Sequence, residues 1–316
     1  MRSQQSLSDE SVAALALDAR DGAWRADGTV VGREQKPIGA WRVTFRRLRR
    51  SKTALFGMGI ACLVFLVAAL ADVIAPYGYA DMHPEDMLQA PNWQYWFGTD
   101  QMGRDVLSRV IYGSRISIYV GVVSTIFGAL MGIPLGIVAA YYGGFVDNLI
   151  MRLVDIWVAF PNFLLVLVIT VILGPSVTNV VIALAIVRVP TQARVVRGAA
   201  LSIKENDYVQ AARALGVSDH RILLRHLLPN CMAPVIVLGT LEVATAIIVE
   251  AALSFLGMGT QPPTPSWGWD LRANVVFIED NPWIAILPGL AIFITVLAFN
   301  MFGDGLRDAL DPRLKQ

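Results

Sequence analysis

Cysteine and histidine are nearly missing from this chain: 316 residues hold two of the first and three of the second. Cys62 and Cys231 sit far apart, in or beside apolar segments and without CxxC spacing. That excludes a disulfide framework and leaves both as inert core thiols. His83, His220 and His226 are too few for a His-rich metal path, and no Cys/His set has zinc spacing, so no metal site is expected. GxxxxGK[ST], HExxH and GxSxG are also absent. The chain is therefore expected to hold no ATP in the P-loop manner, to bind no cofactor and to carry no catalytic residues. Charge is scarce, at 16% of residues where a soluble domain carries about 25%. A net charge of +1 gives no reason to expect nucleic acid as a partner. Alternating ten-residue strands are lacking, which excludes a membrane barrel. Residues 1–40 lack the apolar core of a secretory signal and are rich in Ser, Asp, Gly and Ala, which predicts a flexible cytoplasmic N-terminal tail.

What fills the chain instead is apolar sequence: 55% of residues are hydrophobic and the mean hydropathy is +0.54. Six segments approach the roughly 20 residues a helix needs to cross the hydrocarbon core. They are 55–74, 116–140, 149–173, 177–195, 233–256 and 283–301; Arg188 and Pro190 make the fourth the weakest. The fold class expected is an all-α membrane protein with six transmembrane helices. Arg42, Arg46, Arg47, Arg49, Arg50 and Lys52 precede the first span and place the N-terminus in the cytoplasm. Six crossings return the C-terminus to the same side, with a tail over 307–316 that carries Arg307, Arg313 and Lys315. Within 41–52, Trp41, Phe45 and Leu48 share one helical face among the arginines, which predicts a basic helix lying in the lipid headgroups. Residues 53–306 form the transmembrane domain.

A polar stretch, 206–230, interrupts this chain on the side assigned to the cytoplasm. Asp207 is suited to cap a helix running to Leu215, and Gly216 to take the left-handed position that ends it. Ser218 caps a second helix over 219–228, which Pro229 stops. Ala211 and Ala212 leave a low surface open to close approach, while Val209, Leu215, Ile222, Leu223 and Leu227 need something to pack on. Helices this short do not persist alone in water. The pattern Gln210-Ala211-Ala212, then Gly216, then His226-x-Leu228-Pro229 resembles the EAA loop of ABC importer permeases. That loop reads Glu-Ala-Ala, Gly four residues after the second Ala, and Ile-x-Leu-Pro after nine more. Gln210 stands where the pattern has Glu and His226 where it has Ile, which removes any salt bridge made by the Glu but leaves the helix–Gly–helix geometry. The neighbouring residues resemble the C-type permease of the dipeptide/oligopeptide/nickel branch.

Outside the membrane, the run Gly98-Thr99-Asp100 to Gly103-Arg104-Asp105 resembles an external signature of the same branch. Residues 105–112 are expected to form a short amphipathic helix of their own. Pro262, Pro263 and Pro265 stiffen a second external segment, and Trp267, Trp269 and Trp283 suit the interface belt. Within the second span, Gly128, Gly132 and Gly136 allow close helix approach, either inside the chain or between subunits. Acids at membrane depth are costly and need a partner or a cavity. Arg152 and Asp155 are spaced to pair along one helix face, and Glu242 and Glu250 lie two turns apart.

The resemblance implies a type I ABC importer permease fold with a cytoplasmic coupling helix, in a multi-pass protein of the cell inner membrane. It implies a second homologous permease, two ABC ATPase subunits that hold ATP and Mg, and an extracytoplasmic substrate-binding protein. Asp207, Gln210, Ala211, Ala212, Gly216, His226, Leu228 and Pro229 become the ATPase-coupling loop. Asp100, Arg104, Asp105 and Trp267 become candidates for docking the binding protein, and Asp155, Glu242 and Glu250 candidates for the translocation path of a peptide or related small solute. The competing class is an ion-coupled secondary transporter that uses the three acids as a relay.

Overall fold

The computed structural model describes residues 23–24, 30–31, 46, 48–49 and 51–310. In the N-terminal unit, residues 1–47, two-residue strands β1 (Ala23–Trp24) and β2 (Val30–Val31) pair antiparallel. The remaining unit is helical. Apart from those four paired residues, the flexible tail expected over 1–40 lies outside the described residues, as does most of the basic helix expected over 41–52. Of that helix's apolar face Leu48 is described, buried with Ala54 and Ala309.

Ser51 starts α1 (Lys52–Ala69) by accepting the Ala54 N–H on its hydroxyl at 3.3 Å. After the single turn α2 (Ala71–Ile74), an irregular segment leads to α3 (Val106–Tyr142). Asp105 caps α3, but the short helix expected over 105–112 does not end there. It continues unbroken through Pro134 for 37 residues, roughly 55 Å at 1.5 Å per residue, and so outruns a hydrocarbon core of about 30 Å.

The third span departs most from expectation. Instead of one helix over 149–173 the chain forms α4 (Gly144–Val158) and α5 (Asn162–Leu173), bent by 84° between them. Pro161 is the physical cause: it has no N–H to give the helix and pushes Phe160 out of helical conformation. Then follow α6 (Val177–Lys204), α7 (Asp207–Ala214), α8 (Asp219–Ile222), α9 (Leu228–Phe255), the short helix α10 (Trp267–Asn274) and α11 (Trp283–Leu310). Among the described residues, five helices are long and apolar enough to cross a membrane, six if the bent pair counts as one span. The boundary expected at 306 falls inside α11, whose amphipathic end keeps Ala309 buried.

The glycine stripe of α3 packs within the chain, against α6. A Cβ on Gly132 would lie 2.5 Å from the Gln192 Cβ, and one on Gly136 would lie 2.4 Å from the Ala193 carbonyl oxygen. Backbone cannot swing aside as a side-chain end can, so Gly136→Val should destabilise the chain by about 2–3 kcal/mol. Thermal unfolding in detergent checks this; an unchanged midpoint would show the seam to be loose.

Candidate functional site

The loop at 206–230 is anchored from one side only. Asn206, rather than Asp207, takes the N-cap position of α7, with Asp207 in its first turn. Val209, Ile222 and Leu227 are buried in one cluster with Ile137, Ala140 and Tyr141 of α3, Val196 and Ala200 of α6, and Cys231 and Val235 of α9. Polar contacts reinforce that anchoring. The Tyr141 hydroxyl donates to Asp219 at 2.5 Å, Arg213 lies 4.8 Å over the Tyr141 ring, and the Lys204 ammonium donates to the Ala140 carbonyl at 3.1 Å.

Gly216 has φ +74°, and its N–H donates to the Arg213 carbonyl at 3.0 Å while Val217 N–H reaches the Ala212 carbonyl at 3.1 Å. Two details differ from expectation. Pro229 does not stop the second helix: a π-helical turn, Leu223–Leu227, carries it into α9, where Pro229 sits in the first turn and has no N–H to leave unpaired. Leu215 is not packed but 84% exposed. With half-exposed Tyr208 and Leu224 it leaves an apolar surface on a polar loop. Ala212 is buried, whereas Asp207, Gln210, Ala211, Gly216 and Pro229 are exposed and His226 and Leu228 half-buried.

At the opposite end, the residues expected to dock a partner turn out to be interior. Asp100, Arg104, Asp105 and Trp267 are all 3% exposed or less. Asp100 takes Arg104 side chain and backbone donors, while Arg109 crosses 161 residues of sequence to grip Asp270 and also donates to the Tyr79 carbonyl at 3.0 Å. The Trp267 ring N–H donates to the Val110 carbonyl at 2.9 Å. Burial pushes the Asp105 carboxyl up, opposed by hydrogen bonds from Ser108 and the Leu107 backbone. The Tyr95 phenol is pushed up to about 12 by burial and by the Asp86 carboxylate that it donates to at 2.9 Å. Asp100, Arg104, Asp105 and Trp267 therefore shape the surface at this end from beneath rather than present side chains on it.

The three acids separate into three environments. Asp155 pairs not with Arg152 but with Arg194 at 2.5 Å, and Asp147 takes a two-pronged grip from Arg197. Both bridges tie α4 to the far end of α6. Glu250 is sealed at 1% exposure, accepting from Ser254 at 2.7 Å and, more loosely, from Ser117 and Thr260. Glu242 lines a cavity of about 230 Å³ between α5, α6 and α9. Gln192, Tyr141, Arg109 and Asp270 carry no local sequence signal, since their roles come from partners 50 or more residues away or from burial.

Residues 132–316 match the family described as the binding-protein-dependent transport system inner membrane component. Residues 39–91 match the N-terminal transmembrane domain of oligopeptide transport permease C. The chain belongs to this permease family. The permease is 45% identical to the dipeptide transport system permease protein DppC of Alkalihalophilus pseudofirmus over 278 residues, 88% of this chain and 91% of that one. It is 47% identical to the glutathione transport system permease protein GsiD of Shigella flexneri over 276 residues, 87% and 91% of the two. Its fold matches the inward-facing MetNI methionine ABC transporter with a TM-score of 0.53 and 20% identity, covering 64% of this chain and 96% of that one. It is thus a multi-pass inner-membrane permease subunit of an ABC importer of the dipeptide/oligopeptide family, with the type I fold. Membership brings an ATPase and a binding protein as working partners and lends the ion-coupled alternative no support.

Proposed function

We propose that this permease forms one half of a translocation path for small peptides or peptide-like solutes, completed by a second homologous permease. The chain performs no catalysis; ATP and Mg are bound and turned over on two ABC ATPase subunits seated beneath the loop at 206–230. An extracytoplasmic substrate-binding protein delivers the solute, and both chain termini face the cytoplasm. The observation that carries this reading is the one-sided anchoring of the loop. Its inner face is locked to α3, α6 and α9, while Leu215, next to Gly216 at the tip, stays 84% exposed. A polar loop that offers an apolar residue to water fits a surface covered by a partner. Closure of the ATPases then displaces α7 and α8 as a unit, and the buried cluster passes that displacement to three spanning helices. The solutes named for the two relatives, a dipeptide and glutathione, support that class of cargo.

Reconstituted vesicles with the partner subunits test the reading. Uptake of a dipeptide should survive collapse of the proton gradient and stop when ATP is withdrawn. Accumulation that continues in complexes stripped of ATPase would sink it.

A further inference from the structure

The cavity between α5, α6 and α9 has an apolar wall and a polar one formed by Asn162, Arg188, Thr191, Glu242 and Thr245. Its two charged members form no salt bridge with each other, although the Arg188 charge acts on the Glu242 carboxylate through space. Arg188 donates to the Ser124 hydroxyl at 3.3 Å, to the Thr125 hydroxyl, and to the Glu242 backbone carbonyl at 2.5 Å. The guanidinium is therefore held by neutral oxygens. The Glu242 carboxylate accepts one side-chain hydrogen bond, from the Gln192 amide to Oε2 at 2.7 Å. Among the described residues it forms no ion pair, and Oε1 accepts nothing. Gln192 is itself fully buried and leaves its own carbonyl oxygen unpartnered in order to face Glu242 with its NH₂.

A carboxylate at membrane depth that is 8% exposed and has one oxygen free at a cavity wall is an acceptor without a donor. Asp155 and Glu250 show the alternatives the same chain uses elsewhere: a bound arginine, or a closed ring of hydroxyls. Glu242 has neither a salt-bridged arginine nor a ring of hydroxyls: Arg188 lies beside it but spends its donors on Ser124, Thr125 and the Glu242 backbone carbonyl. A volume of about 230 Å³ admits a group far larger than a water, whose share of liquid is about 30 Å³. We propose that Glu242 forms a cation subsite on the path, where the primary ammonium of a peptide-like solute is held in passage. The choice of solute rests on the reading given above; dipeptides and glutathione share that ammonium group. One carboxylate oxygen, without a second acid beside it, gives a hold weak enough to release, as conduction requires.

The test uses the full complex with its partner subunits. Thr245→Cys, in a Cys62→Ser background that removes the exposed native thiol, places a reporter on the polar wall. Modification by a trimethylammonium and by a sulfonate methanethiosulfonate is compared, each relative to its rate with a free thiol. The cationic reagent should be favoured by about twofold to threefold, less than a cleft lined by one sign of charge achieves because Arg188 shares the wall, and Glu242→Gln should bring the ratio to one or below. Asn162→Cys, on the same wall, repeats the measurement should the first variant not assemble. A ratio unchanged by Glu242→Gln overturns the proposal. So does silence of both positions beside a labelled surface control, which would mean that another subunit covers the wall. Labelling needs no ATP, so uptake that persisted without ATP would defeat the importer reading and leave this result standing.

Discussion

Gly216→Pro should abolish uptake, by about 100-fold or more, while the permease still accumulates in the membrane. The native φ of +74° lies where proline cannot go, since its ring fixes φ near −65°, and the substitution also deletes the N–H that reaches the Arg213 carbonyl. No atom lies within 4 Å of a Cβ built at this position, so the effect comes from backbone conformation and not from a clash. Gly216→Ala separates the two causes. It should cost about 1 kcal/mol, the left-handed penalty alone, and leave most transport in place. Co-purification from membranes reads the mechanism: ATPase should be lost with proline and retained with alanine. ATPase recovered in full with the proline variant would show that the turn does not position the coupling surface.

Arg109→Ala should be the most destabilising single change in the outer layer, at about 3–5 kcal/mol. Arg109 and Asp270 are each about 3% exposed, so deleting the guanidinium strands a carboxylate out of water, and it also frees the Tyr79 carbonyl. The penalty belongs mainly to the abandoned acid. Adding Asp270→Asn to Arg109→Ala should therefore recover a substantial part of the loss, although it removes a second native group. Thermal unfolding of the purified complex measures both variants. If the double variant is no more stable than the single one, the pair is not the unit that joins α3 to α10.

Local chemistry made some of this legible and distance concealed the rest. Gly216 could be placed because only one backbone region suits a glycine that follows a capped amphipathic turn. The spans could be placed because bilayer thickness fixes their length. The break at 159–161 was hidden from hydropathy, since both halves of the third span are apolar; Pro161 was the available signal. Glu242 and Glu250 look alike in sequence, two turns apart on one helix, and what distinguishes them is whether Ser117 and Thr260 or an open cavity faces them. Arg109 and Asp270 show no local pattern at all. Leu215 was expected to pack because it is apolar, and its exposure follows from lying one residue before the turn, on the face that α3 does not reach.

The continuity of α3 has a mechanical consequence. One helix carries Arg109 near one end and Tyr141 near the other, and its glycines hold it against α6 along the stretch towards Tyr141. A rod of roughly 55 Å gripped along that stretch behaves as a lever on a fulcrum. A tilt of about 10° about its middle moves each end by roughly 5 Å in opposite senses, the size of one helical turn. Strain applied at the Tyr141 end would reach the outer layer at the speed of a rigid body, with no relay of side-chain switches between them.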